Sequence, residues 1–228
     1  QTCALPISGV PLTGKHMLSW TRPEDFDLVI KHITKTHPNS PIFTIGFSMG
    51  ANFTQLYLGD KGKANEPTGI TASVTISPPH NLALGSHKVD SNKIISKWLV
   101  NYCVDSIMAN SESQTLKDSM TKARLKEEDL RKITTIRHLD NVFTSQVLGV
   151  ADADAYYNQI SGVHRIEYVK TPLLSISSSG DPLIALEGMN EDKILGNPNI
   201  FQVVIEGGGH IEYPHGWSRQ NWAIGVAL

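Results

Sequence analysis

Cysteine is almost missing from this chain. Cys3 and Cys103 are the only two among 228 residues. Two thiols support neither a disulfide framework nor a thiolate metal site, and they point to a reducing, intracellular setting. Long apolar runs are missing too: none approaches the roughly 18–20 residues that a membrane-spanning helix needs. An excess of one charge is also lacking, with 20 basic and 22 acidic side chains and a formal net charge of -2. Nucleic acid is therefore not an expected partner. The most charged stretch, "KARLKEEDLRK", alternates in sign and reads as a solvated helix face. No His/Cys/Asp cluster has metal-ligand spacing, and no P-loop or dinucleotide fingerprint occurs, so neither metal nor cofactor is expected. What remains, 40% hydrophobic and 18% charged residues, is the composition of a globular protein with a substantial core.

The two ends call for separate treatment. "QTCALPI", residues 1–7, is the in-frame translation of a common sequencing-library adapter, CAG ACG TGT GCT CTT CCG ATC. These residues are expected to be read-through and to take no part in the fold. That leaves Cys103 as the one cysteine and predicts that the natural protein continues upstream. "RQNWAIGVAL" at the other end stops in a helix-like apolar pattern without a stop signal, so it too is expected to continue.

Between the ends, helix and strand signals alternate. "TRPEDFDLVIKHITKTH" opens with Thr21 three residues before Glu24, a capping-box spacing, with Pro23 in the first turn. Phe26, Val29, Ile30 and Ile33 then mark one apolar helix face. "PIFTIG" reads as a buried strand, and "MGANFTQLYLG" as a helix that Gly59 is placed to end. "GITASVTIS" alternates as a strand. From about residue 80 to 165 no strong strand appears. "DSNKIISKWLVNYCVDSIMA" and "KEEDLRKITTIRHLDNVF" predict helices, so this stretch reads as a helical insertion between two strands. "TPLLSISSSGD" and "NIFQVVIEGGGH" then resume the strands. The pattern predicts a parallel sheet covered by helices, with core over 8–79 and 166–228 and the insertion over 80–165.

Three chemical groups fall at the carboxyl ends of predicted strands, where open parallel sheets place their sites. Gly46-Phe47-Ser48-Met49-Gly50 follows "PIFTI", Asp181 follows "LLSISSSG", and His210 follows "FQVVIEGGG". A nucleophilic serine between strand and helix needs a strained backbone. Gly46 and Gly50 are read as the small neighbours that let the turn close. Met49 opens the following helix, and its backbone N–H would face developing negative charge. A lone G-x-S-x-G arises by chance in about one chain in ten of this length; the flanking strand, helix, acid and histidine are what give it weight. His210 would be the general base and Asp181 its orienting acid. The bland alternatives are a loop histidine bonded to backbone and an Asp-Pro turn. His215 and Glu206 are the rival base and acid. Asp152 and Asp154 read as helix-capping residues. The order Ser, Asp, His is that of α/β-hydrolases.

The stretch from about Gly9 to Gly216 resembles the YheT-like branch of the α/β-hydrolase superfamily, which includes embryogenesis-associated and lipid hydrolase relatives. The residues that carry the resemblance are "GVPLT…DFDLVIKHI…HPNSPIFTIGFSMGAN", "SVTISPPHNL", "IRHLDNVFTSQVLGVADADAYY", "TPLLSISSSGDPLI" and "GGGHI". The "LDNVFT…G…DADAYY" block is the most branch-specific. The resemblance implies an α/β-hydrolase fold with Ser48, Asp181 and His210 as triad and Met49 N–H as one oxyanion donor. It implies a lid built from the insertion, and acyl esters of glycerol, phospholipids or small alcohols as substrates. Hydrolysis and acyl transfer to an alcohol both stay open, and so does a non-catalytic binding role for the fold. A complete member of this branch has roughly a hundred further residues upstream. They carry the early strands, the loop with the second oxyanion donor, and any membrane anchor. The elbow strand is then expected to form an exposed apolar edge of a four-stranded half-sheet. Oligomeric state is not legible.

Overall fold

The computed structural model describes residues 24–214 and 221–227. The adapter-like residues 1–7, the Thr21 cap with Pro23, and the rival His215 lie outside the described residues. The rest divides into two compact units, one of residues 86–159, the other of 24–85 with 160–214 and 221–227.

The second unit is built on a sheet of four parallel strands in the order β1 (Phe43–Phe47), β2 (Ala72–Ile76), β3 (Leu173–Ser178) and β4 (Ile200–Ile205). Helix α1 (Glu24–Thr36) precedes β1, and α2 (Met49–Ala64) connects β1 to β2. One core gathers Ile30 of α1, Tyr57 and Leu58 of α2, and Leu173 and Ile200 of the sheet. A second gathers Ile76, Ile176, Tyr213 and Ala223. The α1 face contributes as its spacing predicts: Phe26 stands edge-on to Tyr57, ring centroids 4.9 Å apart, and Tyr57 OH donates to Asp27. Strand β1 is the sheet's edge among the described residues. Its Phe43, Ile45 and Phe47 are exposed, an aggregation liability if left uncovered.

Helix α2 departs from the sequence reading. It runs through Gly59 and ends five residues later at Ala64, capped by Asn65, which takes the left-handed conformation in place of glycine. Gly59 serves a different need. A Cβ there would lie 2.4 Å from Arg165 Cβ and 2.6 Å from Arg165 O, so glycine permits a close approach of the 165–168 segment. The sheet-bearing unit also reaches past the expected boundaries at 80 and 165. Asn52 ties it together, donating to Ile160 O at 2.7 Å and accepting from Gly162 N at 2.8 Å.

The unit of residues 86–159 is helical. Asn92 caps α3 (Lys93–Met108) by accepting from Ile94 N and Ile95 N. This helix is apolar nearly all round, and only one side is buried, through Ser96, Val100 and Val104. Ile94 and Trp98 of the predicted stripe face solvent. Val100 and Val104 join Leu116, Leu130, Leu139 and Phe143 in one core. Here "KEEDLRKITTIRHLDNVF" is not one helix. It breaks into Glu127–Leu130 and Ile136–Leu139, followed by a π-helical turn over Asp140–Thr144. The break falls at Ile133-Thr134-Thr135, poor helix formers, and Thr135 caps the next segment through His138 N. Cys103 carries no disulfide, and burial pushes its thiol up to about 11, so it is not a reactive thiolate.

His80 gives the fold a pH signature. It is 1% exposed, and burial lowers its pKa from 6.5 to about 4. The folded value lies below the unfolded one, so this contribution is complete above pH 6.5 and is lost as pH falls towards 4. The loss is about 1.4 kcal/mol per pH unit, about 3 kcal/mol in all. Urea melts at pH 7 and 4.5 should show that loss in the wild type and a flatter dependence in His80→Gln. Equal slopes would assign the acid sensitivity elsewhere.

Candidate active site

The site begins where β1 ends. Ser48 follows Phe47 directly and precedes the first residue of α2. Its φ of 52° and ψ of -120° belong to a region that non-glycine residues rarely enter. The strain is held on both sides: Ser48 N donates to Ile76 O at 2.9 Å, and Ser48 O accepts from Asn52 N at 3.1 Å. Gly46 is needed for this turn, because a Cβ there would sit 2.7–2.9 Å from Gly50 O and the Ala51 backbone. The expectation for Gly50 is corrected. A Cβ at Gly50 meets nothing within 4 Å among the described residues, because the position looks outward from the first turn of α2. Met49 opens that helix, and first-turn N–H groups have no intrahelical acceptor. Its N–H is therefore a donor at the positive end of the helix.

Asp181 lies three residues beyond β3 and is 2% exposed. One carboxylate oxygen accepts from Leu183 N at 2.8 Å and Ile184 N at 3.2 Å. The other lies 2.8 Å from His210 Nδ1. Burial opposes ionisation, but the hydrogen bonds from His210 and the two backbone N–H groups outweigh it and lower the pKa. An ionised carboxylate only accepts, so Nδ1 carries the proton and donates. That leaves Nε2 as acceptor, and it lies 2.8 Å from Ser48 Oγ. The structure thus joins Ser48, His210 and Asp181 in one hydrogen-bonded chain.

The rivals fall away by position. Glu206 is exposed at the end of β4. Asp152 caps the helix at Ala153–Ile160 through Ala155 N. Asp154 sits in the first turn of that helix and pairs with Arg137 instead of capping.

Sequence reasoning missed the groups that fix the acid loop against the histidine loop. Ser178 Oγ donates to Gly207 O and accepts from Gly180 N, and Ser179 Oγ accepts from Gly207 N at 3.3 Å. The triple serine of "ISSSGD" was the available signal: hydroxyls just past a strand end bond backbone readily. Among the described residues, no group of His, Cys, Asp or Glu could hold a metal ion, and no helix is long and apolar enough to cross a membrane.

Comparison with known proteins agrees on the fold. The monoacylglycerol lipase of Saccharomyces cerevisiae is 26% identical over 205 residues, which cover 89% of this chain and 44% of that protein. The human phospholipase ABHD3 is 29% identical over 216 residues, 94% of this chain and 51% of that one. The chain thus spans about half the length of these curated relatives. Among solved structures, an esterase of Pyrococcus furiosus superposes with a TM-score of 0.51 at 18% identity, covering 94% of this chain and 63% of that one. Residues 21–198 match the family described as serine aminopeptidase, S33, a span that includes Ser48 and Asp181 and stops short of His210. With most of its length matched, the chain belongs to this hydrolase family of the α/β-hydrolase superfamily.

Proposed function

We propose that the protein is a serine hydrolase of carboxylic esters, acting on lipid or medium-chain acyl esters through an acyl-enzyme on Ser48. The observation that carries this reading is the 2.8 Å separation of Ser48 Oγ from an accepting His210 Nε2. His210 takes the Ser48 proton as Oγ attacks the carbonyl carbon. The oxygen that becomes negative is met by Met49 N–H and the positive end of α2. Collapse breaks the acyl–oxygen bond, and His210 returns the proton to the departing alcohol. Water, deprotonated by His210, then attacks the acyl carbon and frees the acid and Ser48. Asp181 stabilises the imidazolium formed in both halves.

The lipase and phospholipase names of the two relatives favour esters over the peptide bonds that the family's name suggests. The YheT-like branch is the narrower assignment, supported by the "LDNVFT…DADAYY" block. In this reading the second oxyanion donor comes from outside these residues, in keeping with relatives about twice as long.

Rates on p-nitrophenyl butyrate, p-nitrophenyl decanoate and leucine p-nitroanilide test the class. The full-length protein should cleave both esters, with kcat/KM more than about 10-fold above the anilide, a preference of at least about 1.4 kcal/mol. Absence of ester turnover in folded protein, or faster anilide cleavage, would overturn it.

A further inference from the structure

We propose that Ser77 is a positioning residue that sets the separation of Ser48 and His210 by holding the main chain beside both. The inference rests on the nucleophile and base reading above.

Ser77 is the first residue past β2 and is fully buried. The carbonyl just before it, Ile76 O, accepts the N–H of Ser48 at 2.9 Å. Its own hydroxyl oxygen accepts the N–H of Ile211 at 3.2 Å and lies 2.7 Å from Tyr213 OH. Two consecutive residues at the end of one strand thus grip the nucleophile on one side and the peptide linking His210 to Ile211 on the other. That peptide is planar, so fixing its nitrogen fixes where His210 leaves the chain. Ser77 is itself anchored, its N–H donating to Ile176 O at 2.8 Å.

The backbone shows that this grip works against strain. Ser77 has φ 51° and Ile211 has φ 57°, both in the left-handed region, and for a β-branched residue that is unfavourable. Strained residues persist only where their surroundings hold them, and the Ser77–Ile211 hydrogen bond is the tie that joins these two directly. The far side of Ile211 is tied as well, its carbonyl accepting from Asn221 Nδ2 at 2.7 Å. Glycine would suit the backbone at 77 better, so the hydroxyl is what serine contributes.

The test compares five variants of the full-length protein with p-nitrophenyl butyrate. Ser77→Gly removes the hydroxyl and relieves the strained φ at 77, so it folds even if Ser77→Ala does not. Tyr213→Phe removes only the second partner. Ser175→Ala is the control, an equally buried serine hydroxyl on β3 with no hydrogen-bond partner among the described residues. Ser77→Gly should lower kcat about 30- to 100-fold with KM within about 2-fold, as expected for a misplaced base. Tyr213→Phe should cost about 3- to 5-fold, and Ser175→Ala less than about 2-fold. Wild-type kcat in Ser77→Gly, a change confined to KM, or a loss that matches the unfolded fraction at the assay temperature would overturn the proposal. Turnover that survives Ser48→Ala would instead overturn the reading on which it rests.

Discussion

Asp181→Asn should leave a folded protein that binds substrate normally and turns it over about 1,000- to 10,000-fold more slowly near pH 7, the loss known for triads whose acid becomes an amide. Two backbone donors decide the outcome. Leu183 N and Ile184 N both point at one carboxylate oxygen of Asp181. An asparagine must turn its carbonyl oxygen towards them, since its amide nitrogen would set donors against donors. The amide nitrogen then faces His210 Nδ1 and obliges that atom to accept. The proton moves to Nε2, the atom 2.8 Å from Ser48 Oγ, which can no longer take the serine proton. The loss should appear in kcat, with KM little changed. A kcat within about 10-fold of wild type would mean that another group orients the base.

The second large effect separates the two glycines of the elbow. Gly46→Ala should abolish turnover or prevent folding. The new methyl would press within 2.7–2.9 Å of backbone atoms at Gly50 and Ala51, and backbone cannot swing aside as a flexible side chain can. Relief requires that α2 move off β1, carrying Ser48 with it, and a shift of about 1 Å at the nucleophile costs on the order of 100-fold. Gly50→Ala should do little harm, since none of the described residues stands within 4 Å of the added carbon. Replacing glycine in a helix by alanine should raise stability by about 0.5–1 kcal/mol. Thermal melts with ester kinetics on both variants check this. Equal damage at the two positions would refute the steric account.

That contrast marks how far the sequence could be read. The spacing G-x-S-x-G is symmetrical on the page, and both glycines looked necessary. Only the path of the chain shows that Gly46 lies under the helix while Gly50 looks out from it. Gly59 teaches the same lesson. As a helix stop it followed local propensity, yet the helix continues because the 165–168 segment packs against that glycine from a hundred residues away. The strands themselves were legible, because period-two patterns and short apolar runs bounded by turns are local signals. So was the placement of Ser48, Asp181 and His210, since each lies within five residues of the carboxyl end of a strand that had to be parallel to its neighbours. The hydroxyls of Ser178 and Ser179 were not legible as fasteners. Their partners in the glycine loop lie almost thirty residues on, and small polar residues near turns look alike until the turns are placed together.

The most direct test is covalent. A fluorophosphonate probe incubated with the full-length protein, followed by proteolysis and mass spectrometry, reports which atom is nucleophilic. The account predicts one adduct on the peptide that carries Ser48, and none in Ser48→Ala. Folded protein that stays unlabelled, or an adduct on any other residue, would contradict it.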